Sequence, residues 1–511
     1  MGYRGIDTTV NQIRRKVFTE VARMGYANVH GDEANKMMHD IPFKIVPGEV
    51  GKLRRNIFLE RAIVEERTRL ALGLPLRRID EYNSSVSGLE NADISHKYYD
   101  PPLINVIKFA CNNCPEKAVK VSDLCQGCLA HPCMEVCPKG AITFRSGRSF
   151  IDQTKCVKCG HCANVCPYKA IVKVERPCMS ACGMDAIHSD ELGRAQIDYD
   201  KCVSCGQCLV NCPFGAIADK GQIYQLIQGF NRGDKIYAIL APAFVNQFPK
   251  LAAADKIRSA MKAVGFEDVV EVAIGADLCI VDEARDFLQE VPAEKAFMGT
   301  SCCPAWSVMA KKLFPELAEN ISMTMTPMVF TARMIKEEHP DARVCFIGPC
   351  AAKKLEASRR TIRSYVDFVL TFEEFAGILE ACDLDPDTLE ADEYELREAS
   401  SAARGFAVSG GVAQAVADKI REWYPGKEVK IAAAETLADC KKMLLKARAG
   451  QYNGYLLEGM GCPGGCIGGA GTIADPQRTM GAVNKYKSSA PFNDPETSAY
   501  IDKIHFLKEE M

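Results

Sequence analysis

No stretch of these 511 residues is apolar for the roughly 18 positions a membrane-spanning helix needs, so a helical anchor is not expected. Neither sign of charge dominates. With 63 Lys and Arg against 66 Asp and Glu, the net charge of −3 gives no basis for a nucleic-acid partner or a polybasic membrane contact. Arg14-Arg15 has the look of a twin-arginine export signal, but Thr19-Glu20-Val21-Ala22-Arg23 follows where such a signal is apolar. A cytoplasmic location is expected. Cysteine is missing from residues 1–100, which read as a helical N-terminal segment: Val10, Ile13, Val17 and Val21 recur at helical spacing, as do Leu53, Ile57, Leu59 and Ile63. That segment is expected to pack and dock rather than to carry a site, with Ser84–Gly88 as a surface loop.

Beyond it, cysteine is in excess. The chain has 25, most at metal-binding spacings rather than in a disulfide-like scatter, which points to a reducing, intracellular setting. With 47% hydrophobic content the chain can bury several cores, and two to four domains are expected. Cys156, Cys159, Cys162 and Cys166-Pro167 follow the ferredoxin spacing C-x2-C-x2-C-x3-C-P, as do Cys202, Cys205, Cys208 and Cys212-Pro213. Cys125, Cys128, Cys133 and Cys137 form a third run with two residues inserted. The leftover pairs, Cys111/Cys114 and Cys178/Cys182, make a fourth run that has been split open.

The split implies nesting, one two-cluster ferredoxin set inside another. In such proteins the fourth cysteine of each run ligates the other cluster. The inner clusters would then use Cys125, Cys128, Cys133 with Cys166, and Cys156, Cys159, Cys162 with Cys137. The outer ones would use Cys111, Cys114, Cys178 with Cys212, and Cys202, Cys205, Cys208 with Cys182. Structural zinc needs neither the repeated spacing nor the following proline. Short apolar pairs after each run, such as Ala141-Ile142 and Ala216-Ile217, would wall each cluster off from water. The spacing resembles that of the four-cluster electron-transfer subunits of molybdenum oxidoreductases.

The last 290 or so residues alternate between apolar runs and helical stretches. Lys235–Ala241, Val269–Ala273, Val344–Ile347, Gly405–Val408 and Val429–Ala432 read as strands, Cys279–Glu290 and Ser307–Phe314 as helices. An α/β arrangement with largely parallel sheet places sites on loops leaving strand ends. Three motifs carry the chemistry: Thr300-Ser-Cys302-Cys303-Pro-Ala-Trp306, Pro349-Cys350-Ala-Ala-Lys353 with Glu356, and Glu458-Gly-Met460-Gly-Cys462-Pro-Gly-Gly-Cys466-Ile-Gly468-Gly469. Adjacent cysteines point in different directions, so one of Cys302 and Cys303 should bind a cluster and the other do something else. Cys303, Cys350, Cys462 and Cys466 are four thiolates from three distant loops, the number a 4Fe-4S cubane requires. Glycines beside the last two let the backbone approach a bulky group closely. Glu356 is placed to pair with Lys353.

Together these motifs resemble the active-site signatures of the iron-only (FeFe) hydrogenases, from about Ile236 to the end of the sequence. The resemblance implies reversible H2 oxidation and proton reduction at an H-cluster, a cubane joined through Cys466 to a di-iron unit with CO, cyanide and dithiolate ligands. It implies that Cys302 relays protons, that Lys353 meets a cyanide, that Met460 packs near a bridging CO, and that Ala241-Pro242 line the pocket. The proton route would run from Cys302 through Glu283 and Ser322 to Asp286. Implied partners are H2 and protons, a soluble electron carrier such as ferredoxin, and maturation proteins for the di-iron unit. The family's common residues are replaced at Ala243, Glu290, Ala305, Gly348, Gly461 and Ala470, all beside the cluster ligands or the route. A hydrogen sensor and a non-catalytic iron-sulfur assembly protein are the alternative functions.

The expected whole is an α+β multidomain protein: a helical segment over 1–100, nested two-cluster ferredoxin domains over 101–220, and a two-lobed α/β catalytic domain over 221–511. Cys279, Cys345, Cys382 and Cys440 are expected to be small buried hydrophobes. The tail from Ile473 is expected to pack across the lobes, with Asp494-Pro495 opening an amphipathic helix.

Overall fold

Helix Thr9–Ala27 begins where the Thr8 side chain accepts from the Asn11 amide and stops at Asn28, whose φ of 52° leaves the helical region. Its buried face, Val17, Phe18 and Val21, lies on helices Phe372–Ala381 and Ile223–Arg232. Contact is close enough that a Cβ on Gly377 would come within 2.6 Å of the Phe18 Cβ. This is a computed structural model; it describes residues 4–80, 83–92, 99–248, 251, 254–384, 388–390 and 398–507. Helices Gly31–Ile45 and Ile57–Ala71 complete the helical segment. One local expectation fails: Leu53 precedes the third helix and is exposed, because the helix starts only at the Asn56 cap. Ser84–Gly88 is a turn at the surface, with Ser85 alone buried in it, its carbonyl accepting from the enclosed Arg69.

The nesting is visible in strand pairing. Strands β1 (Ile104–Val106) and β8 (Ile217–Asp219) pair antiparallel and bracket everything between them. Inside, β2 (Lys117–Val121) pairs with β5 (Ile171–Glu175), and that pair brackets the hairpin of β3 (Ile142–Arg145) and β4 (Arg148–Ile151). The outer unit keeps its own hairpin, β6 (Ile187–Ser189) with β7 (Ala195–Ile197).

Two wholly parallel sheets follow. One has the order β10-β9-β12-β13, formed by Asp268–Glu271, Ile236–Leu240, Arg343–Gly348 and Phe368–Thr371. The other has the order β11-β15-β14, formed by Met298–Gly299, Tyr455–Met460 and Lys430–Glu435. Strands β9, β12, β13 and β15 are almost wholly buried, as expected where both sheet faces are covered, whereas the edge strand β14 has no buried residue. Helix Ala273–Glu290 runs from the end of β10 toward β11 and so links the two lobes. A buried ion network ties the units together: Lys354 bonds Asp219 of β8 at 2.7 Å and Glu374 at 2.9 Å, while Arg14 of the first helix pairs with Glu373 at 2.6 Å. The fold is the mixed α/β multidomain arrangement expected.

Gly405–Val408 is not a strand but a short 3-10 turn after helix Ser401–Arg404. Arg404 is enclosed and pinned by Glu271 at 2.8 Å, which fixes a helical turn where apolar composition alone reads as extended. Asp494-Pro495 likewise opens a three-residue 3-10 turn, and Ile501–Leu507 is 3-10 rather than an amphipathic α-helix. Buried Lys419 anchors that turn by reaching Glu496 at 2.9 Å. The tail does lie across helices Ala273–Glu290 and Pro327–Glu338. Cys279, Cys345 and Cys440 are buried as expected, whereas Cys382 is only partly so.

Candidate active site

The C-terminal ends of four parallel strands supply the site. The loop after β9 brings Ala241 and Pro242, that after β11 Cys302 and Cys303, that after β12 Cys350, and that after β15 Cys462 and Cys466. Ligand sites belong at such strand ends because loops diverge there and leave a crevice. Here it is a cavity of about 70 Å³. Its walls include Ala241, Pro242, Cys302, Lys353, Met460 and the two candidate ligands Cys350 and Cys466.

Cys303 caps the N-terminal end of helix Pro304–Leu313, and its sulfur accepts from the Gly461 amide at 3.4 Å. A Cβ on Gly461 would sit 3.0 Å from the Ala305 Cβ, so two of the replaced family positions pack directly on one another. Burial first, and then repulsion from neighbouring thiols, Cys462 on Cys350 and Cys303 on Cys462, pushes the thiols of Cys350 and Cys462 up to about 12. Cys466 lies well above the ordinary thiol range, from burial and then from Cys350, Cys303 and Cys462. The thiols of Cys350, Cys462 and Cys466 therefore resist ionising together. A polynuclear iron centre would neutralise them, and this donor set fits a cubane.

Lys353 enters the cavity wall with its ammonium held by two acceptors. It donates to Glu356 at 2.7 Å and to the Thr326 hydroxyl at 3.0 Å, and Thr326 donates onward to Glu356 at 2.9 Å. Burial opposes its charge, but Glu356 outweighs burial and holds the lysine above its usual value. A fixed cation facing an otherwise apolar cavity suits an anionic ligand of a bound metal.

Glu283 is 2% exposed, which removes it from the solvated helix face that its charged neighbours suggest. Burial raises its carboxyl to about 7, against hydrogen bonds from Ser301 and Ser322 that favour the anion. Its Oε1 accepts the Ser301 amide at 3.1 Å. Cys302 faces the cavity, and its thiol is held well above its usual range by burial first and by Glu458 and other anions, Glu283 among them. Cys302, Glu283 and Ser322 are therefore brought together. Asp286 lies one turn on along the same helix, half-buried. Glu290 pairs with Lys295 at 2.6 Å.

The cysteines of three of the four nested sets lie close to one another. One small cavity is walled by Cys111, Cys114, Cys178 and Cys212, another by Cys125, Cys128, Cys133 and Cys166. Cys208 is raised well above its usual value by burial and then by Cys205, Cys202 and Cys182, which places those four near one another. Cys137, Cys156, Cys162 and Cys166 pack into one core with Cys133. Amides donate to the sulfurs of Cys137, Cys166, Cys182 and Cys212 at 3.3 to 3.5 Å, each from the alanine four residues on.

Residues 234–470 match the family described as iron only hydrogenase large subunit, C-terminal domain. This part of the chain is hydrogenase-like. Residues 124–170 match a 4Fe-4S dicluster domain and 194–217 a 4Fe-4S binding domain, the first falling inside the bracket of β2 and β5. Iron hydrogenase 1 of Clostridium pasteurianum is 26% identical over 403 residues, covering 69% of this chain and 70% of that protein. The cytosolic Fe-S cluster assembly factor NAR1 of Kluyveromyces lactis is 32% identical over 111 residues, 22% of this chain and 24% of its own. A solved structure of the FeFe-hydrogenase HydA(deltaEFG) aligns with a TM-score of 0.44 and 22% identity, over 53% of this chain and 89% of that one. No helix among the described residues of this hydrogenase-like chain is long and apolar enough to cross a membrane.

Sequence reasoning missed four contributors: Thr326, Ser301, Gln207 and Arg4. Thr326 is a short polar residue outside any spacing pattern, and Ser301, though inside the first motif, gives no sign there that it bonds Glu283. Gln207 sits between two cluster cysteines, where only the fold reveals that it faces Cys462.

Proposed function

We propose that this protein is an iron-only hydrogenase that interconverts H2 with protons and electrons. The observation that carries the reading is the cavity itself, which unites Cys302, Lys353, Met460 and Pro242 with Cys350 and Cys466. A di-iron unit bound there would supply the chemistry of H2 cleavage, as cofactors generally do. Cys303, Cys350, Cys462 and Cys466 would hold the cubane, and Cys466, which also lines the cavity, would be the thiolate nearest the di-iron unit. Lys353 presents a fixed donor to a cyanide, and Met460 and Pro242 keep water out. Cys302 takes up and returns protons, passing them to Glu283, then Ser322, then Asp286. A carboxyl near 7 can both accept and release a proton at neutral pH, which is what a relay needs.

Electrons run through the outer cysteine sets to the inner ones. The inner unit is the port to the carrier. Of the sixteen ferredoxin-type candidate ligands, Cys159 of the inner unit alone is exposed. Around it Leu129 is 94% exposed and Val157 and Tyr168 about half. Residues 117–175 hold nine Lys and Arg against four Asp and Glu in a chain of net charge −3, so the carrier is an acidic one-electron protein such as ferredoxin. The protein works in the cytoplasm, with segments 1–100, 101–220 and 221–511 as its units, and depends on maturation proteins for the di-iron unit.

The partial likeness to an assembly factor favours a second reading, a non-catalytic iron-sulfur protein. A scaffold has no need of a relay thiol and a buried cation facing one cavity. Anaerobic co-expression with maturation proteins, followed by dye-linked H2 uptake and evolution, separates the two. Turnover supports the hydrogenase; a fully iron-loaded, maturated protein that neither makes nor consumes H2 supports the scaffold.

A further inference from the structure

The seam between the outer ferredoxin unit and the hydrogenase-like domain is closed by the start of the chain. Gly5, at φ +74°, lies so close to Asp475 that a Cβ would meet the Asp475 Cβ at 2.6 Å, and its amide donates to the Ile473 carbonyl at 3.2 Å. That grip seats Arg4 inside the seam at 8% exposure. Its Nε donates to the Gly469 carbonyl at 2.8 Å, in the loop that carries Cys466, and its guanidinium donates to Gln207 Oε1 at 3.2 Å. Gln207, itself 7% exposed and set between Cys205 and Cys208, turns its amide to the other side and donates to the Cys462 sulfur at 3.1 Å. One cation and one amide therefore link a ligand loop of the ferredoxin unit to a candidate ligand of the catalytic cubane. The Arg4 charge acts on Cys462 first and Cys205 second.

We propose that Arg4, acting partly through Gln207, is a positioning residue that raises the reduction potential of the cubane held by Cys303, Cys350, Cys462 and Cys466. Reduction adds a negative charge to a cluster, and a buried cation with an N–H donor on a ligand sulfur stabilises the reduced form. Gln207 cannot keep this geometry alone, because a free side-chain amide would swing between sulfur and solvent; Arg4 holds its oxygen and fixes which end faces Cys462. The consequence is directional. Electrons arriving from the Cys202, Cys205, Cys208 and Cys182 cluster are drawn toward the catalytic cubane.

This inference rests on the cubane reading, and one experiment separates the two. The cluster-loaded full chain is titrated anaerobically with spectroscopic detection by electron paramagnetic resonance, the cubane signal being the one lost in Cys303→Ser. In Arg4→Met the reduced-to-oxidised ratio of that signal should fall about tenfold at a fixed solution potential, a downward shift of ~59 mV for one electron. Arg4→Lys, which keeps the charge, should recover most of the shift, and the signals of the inner clusters should stay where they are. If Arg4→Met loads poorly, Arg4→Gln gives the same comparison with a neutral side chain that can still hydrogen-bond. A ratio within twofold of wild type in the neutral variants, or an equal fall in Arg4→Lys and Arg4→Met, overturns the proposal while leaving the cubane in place. A wild-type protein with no Cys303-dependent signal overturns the cubane reading and this inference with it.

Discussion

Lys353, Thr326 and Glu356 form a closed triangle of hydrogen bonds on the cavity wall, with Glu356 2% exposed. Removing the lysine strands a buried carboxylate, so Lys353→Met should destabilise the protein by about 3–5 kcal/mol. Lys353→Met/Glu356→Gln should regain most of that in chemical denaturation without regaining H2 turnover; a double variant as unstable as the single one contradicts the pairing. Glu283→Gln keeps shape and removes the titrating group, and should cut turnover by orders of magnitude with cluster content unchanged. Near-normal turnover would move the proton route elsewhere. Asp277 is the other buried carboxyl near 7, raised by burial and only partly compensated by Ser400. Because its folded value lies above the unfolded one, its stabilising contribution is complete below about pH 4 and is lost as pH rises through about 7. Asp277→Asn does not titrate and can keep both Ser400 contacts, so wild type should lose stability relative to it between pH 5 and pH 8; parallel profiles contradict this. At this scale the sequence was legible where residue type and motif coincide, as for Lys353 with Glu356. It was silent on Thr326, Ser301 and Arg4, whose roles exist only through contacts across long separations.

Cysteine spacing foretold the elements of the ferredoxin region better than hydrophobic periodicity foretold the rest. A ligand run fixes both ends of a loop, and the split run left nesting as the simplest solution; β1 with β8 and β2 with β5 then pair as nesting requires. Strand β15 escaped notice because Glu458 interrupts its apolar run, yet that carboxylate is buried, accepting the Gly410 and Ala413 amides at 2.7 and 2.8 Å at the start of helix Gly411–Trp423. Gly405–Val408 failed the other way, apolar but held helical by the Arg404 pair. The wire has an order that mutation can test. Cys462 accepts from Gln207, so the outer unit meets a candidate cubane ligand of the hydrogenase-like domain directly. Cys133→Ala, in an inner set, should depress turnover with an acidic protein carrier far more than with a small dye. Cys178→Ala, in an outer set, should depress both. Equal dye-linked losses in the two variants contradict the order.

For the whole molecule, the account stands on what is bound at the strand ends and along the wire. On the hydrogenase proposal, four ferredoxin cubanes, a catalytic cubane and a di-iron unit would together amount to about 22 iron atoms per chain. Fully loaded protein with about 14 would remove two of the ferredoxin clusters and with them the nested scheme. The parallel sheets and their ligand loops were foreseeable from alternating apolar runs and motifs, but the closing of the seam by residues near Arg4 was not, since no local pattern marks a segment whose partners lie more than 200 residues away. The most direct test of the central claim is infrared spectroscopy of the protein purified anaerobically after co-expression with maturation proteins. The account predicts bands from metal-bound CO and cyanide, with the cyanide bands shifting in Lys353→Met/Glu356→Gln. A protein with its full complement of cubane iron and no such bands would contradict it.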